Sequence, residues 1–324
     1  MINNITDKIP VVAVVGPTAS GKTAMAVELA LRTDAEIVSA DSMQIYKGMD
    51  IASAKPLKEE MRGVEHHLID FLDSSCRYSV ARYIEDATAA IKDIVSRGKR
   101  VIICGGTGLY VDSLLQNIVF RDEPDNSDVR QTLRRRREEE GIEPLYDELK
   151  RIDPETAAAL HINNEGRILR ALESYYLTGE LPSALKVRSR AKETPYKSLY
   201  IGLTYENREL LYDRINRRVD MMIEKGLVEE AREYLLLGKE NTAAQAIGHK
   251  EIIPFINGEI SLEEASENLK RATRRYAKRQ LTWFRRNNEI NFVYCDKYNS
   301  FNDTADAAYD IICTSGIFKA GDSD

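Results

Sequence analysis

The chain has 324 residues, 43% hydrophobic and 30% charged, a composition and length that suit one large globular domain with a smaller one. The formal net charge of −6 excludes a globally basic nucleic-acid-binding protein, so any contact with nucleic acid must use local basic surfaces. The four cysteines lie far apart without a CxxC pair, and the four histidines show no metal-ligand spacing, which argues against a disulfide framework and a zinc site. No apolar run reaches the roughly 18 residues of a membrane span, so we expect a cytosolic protein without a membrane partner.

Strand-like and helix-like patterns alternate in the first third of the chain. Short apolar runs predict strands at 11–15, 35–41 and 100–106, and amphipathic stretches predict helices at 22–31 and near 80–97. This alternation predicts an α/β fold, with a parallel sheet covered by helices on both faces. Ligands of such sheets bind at the carboxyl ends of the strands. Because Gly16, Asp41 and Gly105 follow the three predicted strands, we expect their motifs to converge on one crevice.

The first of these motifs matches the phosphate loop G-x-x-x-x-G-K-[ST] and joins a predicted strand to a predicted helix. It consists of Gly16, Pro17, Thr18, Ala19, Ser20, Gly21, Lys22 and Thr23. Its backbone N–H groups can surround an anion, Lys22 supplies a positive charge, and the Thr23 hydroxyl can ligate Mg²⁺. The loop therefore predicts a bound phosphate chain with Mg²⁺ as cofactor, but it does not distinguish a nucleotide from a diphosphate on another carbon skeleton.

Polar residues also follow the second and third predicted strands. Asp41 can accept a proton from an attacking hydroxyl or amine, cap a turn, or hold Mg²⁺ through water, and its position alone leaves these roles open. Thr107 belongs to the glycine-rich turn GGTGLY at 105–110 and can reach a phosphate oxygen.

The remaining chain divides into an insertion and a return to the sheet. Polar, helical patterns predict a mostly helical insertion at 121–195, which leaves 1–120 and 196–324 as a catalytic P-loop core with C-terminal helices. Residues 198–205 predict a strand that rejoins the sheet, and helices follow to about residue 287. Residues 271–286 hold seven Lys or Arg and no Asp or Glu. Helical spacing puts Arg274 and Lys278 on a basic face and Tyr276 on the apolar face, and we interpret the basic face as a surface for RNA phosphates.

Four ordered motifs together resemble the bacterial tRNA dimethylallyltransferases, or tRNA isopentenyltransferases: GPTASGKT, DSMQIYKGMDIASAKP, GGTGLY and RRYAKRQLTWFRR. The resemblance extends from about Val11 to Arg286. It implies a P-loop NTPase-like sheet with an inserted helical domain, 121–195, that contacts the tRNA anticodon arm. It also implies transfer of a dimethylallyl group from dimethylallyl diphosphate to N6 of adenosine 37 in tRNA, with release of diphosphate. We expect the enzyme to be a monomer.

The resemblance also implies roles for individual residues. Asp41 is the expected general base, and Lys22, Thr107 and Arg218 are expected to stabilise the departing diphosphate. The residues expected to contact tRNA are Asp41, Ser42, Met43, Gln44, Arg130, Arg167, Arg170, Gln245, Gly248, Lys250, Arg274 and Lys278.

A P-loop kinase for a small molecule is the alternative hypothesis. Such a kinase shares the sheet, the phosphate loop and a base at the end of the second strand. It needs neither an anticodon-facing insertion nor a basic C-terminal helix. A third hypothesis is an RNA-binding module that uses the loop only as a structural anion site. This hypothesis would leave the phosphate loop and Asp41 without a catalytic role.

Overall fold

The computed structural model describes residues 8–120, 127–189, 192–236 and 246–318. Within these ranges, six strands are present: β1 (Ile9–Val15), β2 (Ala35–Ser39), β3 (His66–His67), β4 (Arg100–Gly105), β5 (Tyr196–Thr204) and β6 (Ile290–Tyr294). They form one parallel sheet in the order β3–β2–β4–β1–β5–β6. The predicted α/β fold is thus confirmed, with β3 and β6 as edge strands that the sequence patterns did not predict.

The helices of the described residues follow and connect these strands. They are α1 (Lys22–Thr33), α2 (Lys58–Met61), α3 (Val80–Ser96), α4 (Gly108–Leu115), α5 (Ser127–Glu140), α6 (Glu143–Ile152), α7 (Pro154–Ala158), α8 (Glu165–Thr178), α9 (Pro182–Ser189), α10 (Arg208–Glu224), α11 (Leu227–Leu236), α12 (His249–Ile256), α13 (Leu262–Phe284) and α14 (Phe301–Ser315). None of these helices combines the length and the apolar character that crossing a bilayer requires.

The sheet has an apolar layer on each face because side chains along a strand alternate between the two faces. Val11, Ala13 and Val15 of β1 pack in one buried cluster with residues of α3 and α4. Val12 and Val14 pack in a second cluster with residues of α1 and α14. Both faces are therefore covered, as expected for a parallel sheet.

The chain divides into two compact units. One unit runs to Leu115 and resumes at Thr194, and the other spans Gln116–Glu193. The sequence predicted the insertion at 121–195, so the two divisions differ by a few residues at each end. The second unit contains α5 to α9 and has its own apolar cluster, which includes Leu133, Leu149 and Leu172.

Candidate active site

Three strands end side by side at one edge of the sheet. Val15 pairs with Gly105 and Ser39 pairs with Cys104, so the segments that follow β1, β2 and β4 leave the sheet together. The first two of these segments, with parts of α10 and α13, line a cavity of about 1010 Å³. The structure therefore brings the phosphate loop and Asp41 to the same cavity.

The phosphate loop has a backbone shaped to bind an anion. Ala19 and Gly21 have φ angles of 62° and 92°, and such left-handed residues turn successive N–H groups toward a common centre. Helix α1 begins at Lys22, and its N-cap residue is Gly21, which has no side chain that could cap the helix. Its first N–H groups are consequently available to phosphate oxygens. Gly16 cannot be replaced without movement, because a Cβ there would lie 2.4 Å from the Leu203 carbonyl oxygen.

Lys22 is the cation of the loop, and its Nζ donates to the Pro17 carbonyl oxygen at 3.3 Å. Burial lowers the pKa of the Lys22 ammonium, and the neighbouring Cys104 and Asp41 partly oppose that shift. A cation in such a partly desolvated position attracts phosphate oxygens more strongly than an exposed one.

Asp41 lies just after β2 and lines the cavity. Its Oδ1 accepts a hydrogen bond from the Met43 backbone N–H at 2.9 Å, which is the turn-capping role that the sequence allowed. Among the described residues, no donor forms a hydrogen bond with Oδ2. One carboxylate oxygen therefore fixes the side chain, and the other remains for a ligand.

Thr107 bonds to Ser42, the residue that follows Asp41, and is not among the residues that line the cavity. Its hydroxyl accepts from the Ser42 backbone N–H at 3.1 Å and donates to the Ser42 hydroxyl at 3.3 Å. This geometry gives Thr107 a positioning role toward Ser42, and its contact with phosphate stays a prediction.

Tyr276, which helical spacing assigned to the apolar face, lines the cavity instead. Burial, with a smaller contribution from Asp41, raises the pKa of its phenol.

Two arginines of α10 face the phosphate loop one turn apart. Arg214 donates from Nε to the Ala19 carbonyl oxygen at 3.0 Å and thus supports the loop. Arg218 also lines the cavity, and among the described residues its guanidinium makes no hydrogen bond to a protein acceptor. Burial lowers the pKa of Arg218, and Asp41 partly opposes that shift. Arg218 is therefore the better placed of the two to meet a bound anion.

Gln280 of α13 was missed by the sequence analysis. It is 5% exposed, its Oε1 accepts from the Thr18 backbone N–H at 2.8 Å, and its Nε2 donates to the Gly106 carbonyl oxygen at 2.9 Å. A Cβ on Gly106 would lie 2.2 Å from this Nε2, and one on Gly108 would lie 2.2 Å from the Trp283 ring. The glycine-rich turn therefore lets α13 approach the strand ends closely. The sequence signal that could have identified Gln280 is an uncharged amide within a strongly basic helix.

A second missed group supports the loop that follows Asp41. Glu230 accepts backbone N–H bonds from Asp50, Ile51 and Ala52 at 2.7–2.9 Å. Its Oε1 also lies 2.8 Å from Nε2 of the buried His249. Burial alone would raise the pKa of Glu230, but the bonds from His249 and the backbone outweigh burial and lower it. Because residues 50–52 line the cavity, this carboxylate helps to shape the cavity wall.

The residues predicted to contact tRNA within the first unit occupy different environments. Ser42, Met43, Gln44 and Gly248 line the cavity. Lys250 and Lys278 are exposed, whereas the half-buried Arg274 donates to Asn216 at 2.6 Å. Gln245 lies outside the described residues.

The predicted tRNA contacts of the second unit are three arginines. Arg130 and Arg170 both pair with the buried Glu173, at 2.8 and 3.1 Å. Arg167 is exposed, and its guanidinium makes no ion pair within the described part of the chain. The structure thus gives two of these arginines a structural partner and leaves Arg167 facing solvent.

The oxygen groups of the cavity fit Mg²⁺. The Thr23 hydroxyl and the Asp41 carboxylate both line it, and Mg²⁺ prefers such hard oxygen ligands together with substrate phosphates and water. Among the described residues, no group of three or more His, Cys, Asp or Glu could hold a metal ion on its own.

The parallel sheet, the phosphate loop at the head of α1 and the carboxylate after β2 define an α/β protein of the P-loop class. The sequence model of the IPP transferase family matches residues 44–287. The chain belongs to this family.

Individual relatives agree with this assignment. The tRNA dimethylallyltransferase of Caldanaerobacter subterraneus is 47% identical over 307 residues, which cover 94% of this chain and 98% of the relative. The crystal structure of a tRNA isopentenylpyrophosphate transferase from Bacillus halodurans has 43% identity and a TM-score of 0.71, and the match covers 95% of this chain and 96% of that one. The crystal structure of a eukaryotic dimethylallyltransferase acting on tRNA has 29% identity and a TM-score of 0.80, and the match covers 96% of this chain and 79% of that one.

Proposed function

We propose that the protein transfers a dimethylallyl group from dimethylallyl diphosphate to N6 of adenosine 37 in tRNA and releases diphosphate. The observation that carries this proposal is the meeting of the phosphate loop, Arg218 and Asp41 in one cavity of about 1010 Å³. The family relationship supports the reaction class, since similar proteins are named tRNA dimethylallyltransferases. The volume is ample for a five-carbon chain and a base together.

The diphosphate is the leaving group of this reaction. The allylic C–O bond breaks with its electron pair on oxygen, so negative charge grows on the phosphates and positive charge spreads over the allyl carbons. The N–H groups of Gly21, Lys22 and Thr23, the Lys22 ammonium and Arg218 stabilise that growing negative charge. Donors already oriented toward developing charge give the largest catalytic contribution in many enzymes.

Asp41 acts on the other substrate, the adenosine of the tRNA. The lone pair of an exocyclic adenine amine is delocalised into the ring, which makes the amine a weak nucleophile. As the N–C bond forms, the Asp41 carboxylate accepts the proton that the amine loses. General base catalysis of this kind contributes about 10²–10⁴-fold. The bond from Met43 to Oδ1 holds the carboxylate while Oδ2 takes the proton.

Bound Mg²⁺ would neutralise phosphate charge and so favour departure of diphosphate. Thr23 would hold it, with Asp41 nearby, and phosphate oxygens and water would complete its ligands.

The tRNA must present adenosine 37 outside its stack for the base to enter the cavity. Ser42, Met43, Gln44 and Gly248 would surround the base there. Arg274 and Lys278 of α13, Lys250, and the insertion with Arg130, Arg167 and Arg170 would contact the RNA around it. We expect a cytosolic monomer.

The test supplies labelled dimethylallyl diphosphate and labelled ATP, separately, with Mg²⁺ and bulk tRNA. Label from the prenyl donor should enter tRNA, and mass analysis of the nucleosides should find adenosine enlarged by one dimethylallyl group. Label transfer from ATP alone would instead support the P-loop kinase. A tRNA transcript with guanosine at position 37 is the matched control and should stay unlabelled.

A further inference from the structure

A buried carboxylate joins two helices of the second unit. Glu173 lies in α8, and its side chain is only 6% exposed. Its Oε1 accepts from Nε of Arg130 in α5 at 2.9 Å and lies 2.8 Å from Nη2 of the same arginine. Its Oε2 accepts from Nη1 of Arg170 in α8 at 3.1 Å. The carboxylate has a fixed place, because Leu133 of α5 and Leu172 of α8 belong to the same apolar cluster.

Both arginines remain at the surface although they pair with a buried group. The side chains of Arg130 and Arg170 are 33% and 55% exposed, so their guanidinium groups border solvent while the carboxylate lies beneath them. One negative charge beside two positive charges leaves this surface positive. Exposed arginines extend it along both helices, since Arg134 lies four residues after Arg130. In the same way, Arg167 lies three residues before Arg170.

We infer that Glu173 is a positioning residue for RNA binding, which holds the guanidinium groups of Arg130 and Arg170 in the orientation that contact with RNA phosphates requires. A surface arginine without such a partner samples many rotamers, and binding that immobilises one side chain loses about two- to tenfold in affinity. Glu173 fixes both rotamers when the protein folds, so RNA binding does not bear that cost. The inference rests on the proposed function in taking this surface as one that contacts tRNA.

Two other roles for Glu173 predict different results. A carboxylate near RNA phosphates repels them, so an acid without a positioning role should oppose binding, and its removal should strengthen binding. A carboxylate that only joins α5 to α8 should affect binding through the folding of the unit, whether or not the two arginines are present. A positioning residue should matter for binding only while the two arginines are present.

The test measures the dissociation constant of fluorescently labelled tRNA by anisotropy, at one salt concentration, with the full-length protein. Glu173→Gln keeps the size of the side chain but removes the charge that holds the guanidinium groups, and it should weaken binding about fivefold. The loss should appear in the KM for tRNA and not in kcat, because the phosphate loop and Asp41 belong to the other unit. Once Arg130→Gln and Arg170→Gln are both present, Glu173→Gln should no longer weaken binding.

A second variant covers the case in which Glu173→Gln does not fold. Glu173→Asp retains the negative charge beside the arginines, but its carboxylate is one methylene shorter and cannot reach both guanidinium groups. It should therefore also weaken tRNA binding, by about two- to threefold. Thermal unfolding followed by circular dichroism shows which variants are folded.

Glu165→Gln is the matched control. Glu165 also lies in α8 and pairs with an arginine of α5, Arg137, at 2.6 Å, but its side chain is 37% exposed and the pair is screened by solvent. This variant removes the same charge from the same helix and should not weaken tRNA binding. Unchanged or tighter binding by the folded Glu173 variants would overturn the inference. A loss of affinity that persists without the two arginines would overturn it as well.

Transfer of the dimethylallyl group to tRNA, measured in parallel, separates the two proposals. If transfer occurs and Glu173→Gln binds tRNA as the wild-type protein does, only the role of Glu173 is refuted. If Glu173→Gln weakens tRNA binding in a protein that transfers no dimethylallyl group, the proposed reaction is refuted and the role of Glu173 stands.

Discussion

Glu230→Ala should destabilise the protein strongly, because it removes the acceptor of three backbone N–H groups and of His249. The four bonds have lengths of 2.7–2.9 Å, and Glu230 is 8% exposed. Removing one partner of a buried charged group costs about 3–5 kcal/mol, since the remaining polar groups are left unsatisfied. For a chain of this size, that loss lowers the melting temperature by roughly 10 °C.

The assay is reversible thermal or urea unfolding, followed by circular dichroism. Glu230→Gln keeps an acceptor oxygen and should lose about half as much stability as Glu230→Ala. Glu229→Ala, at the exposed neighbouring position of α11, should change stability by less than about 0.5 kcal/mol. The reasoning is refuted if Glu230→Ala melts within about 2 °C of the wild-type protein.

The pH dependence of the protein's stability gives an independent check on the Glu230 carboxylate. The folded pKa of Glu230 lies below its ordinary value of 4.5, so its stabilising contribution is complete well above pH 4.5. That contribution is lost as the pH falls through the folded pKa. The stability difference between wild-type protein and Glu230→Gln should therefore shrink as the pH is lowered below about 4.5.

Three further predictions concern other parts of the site. Arg218→Ala should lower kcat by about 10²–10³-fold with little change in tRNA affinity, and an unchanged single-turnover rate would remove Arg218 from diphosphate stabilisation. Gly108→Ala should cost about 1–3 kcal/mol in urea unfolding, since its Cβ would overlap the Trp283 ring; wild-type stability would mean that α13 has room to move. Lys278→Ala should reduce the slope of log affinity for tRNA against log salt by roughly 0.7–0.9, and an unaltered slope would place Lys278 outside the RNA contact.

Features with a local sequence pattern could be predicted. Apolar runs identified the four central strands, and the phosphate loop was recognisable because all its parts lie within eight residues, 16–23. The convergence of that loop with Asp41 followed from a general property of parallel sheets, whose strands end at one edge. The two-residue β3 and the edge strand β6 lacked a sufficiently long apolar run.

Features built from distant residues could not be predicted in this way. Gln280 lies 262 positions from Thr18, and Glu230 lies about 180 positions from the loop at 50–52. Helical periodicity assigned Tyr276 to an apolar face but could not indicate which space that face would border. An arginine likewise looks the same in sequence whether it faces RNA or pairs with a buried carboxylate, as Arg130 does with Glu173.

The most direct test of the proposed chemistry is the single-turnover rate of Asp41→Asn with saturating dimethylallyl diphosphate and tRNA. Asparagine keeps an oxygen for the bond from Met43, so the turn and both binding affinities should be preserved. The rate should fall by about 10²–10⁴-fold, because the amide cannot accept the proton from the adenine amine. Transfer at the wild-type rate, with both substrates bound normally, would contradict the account.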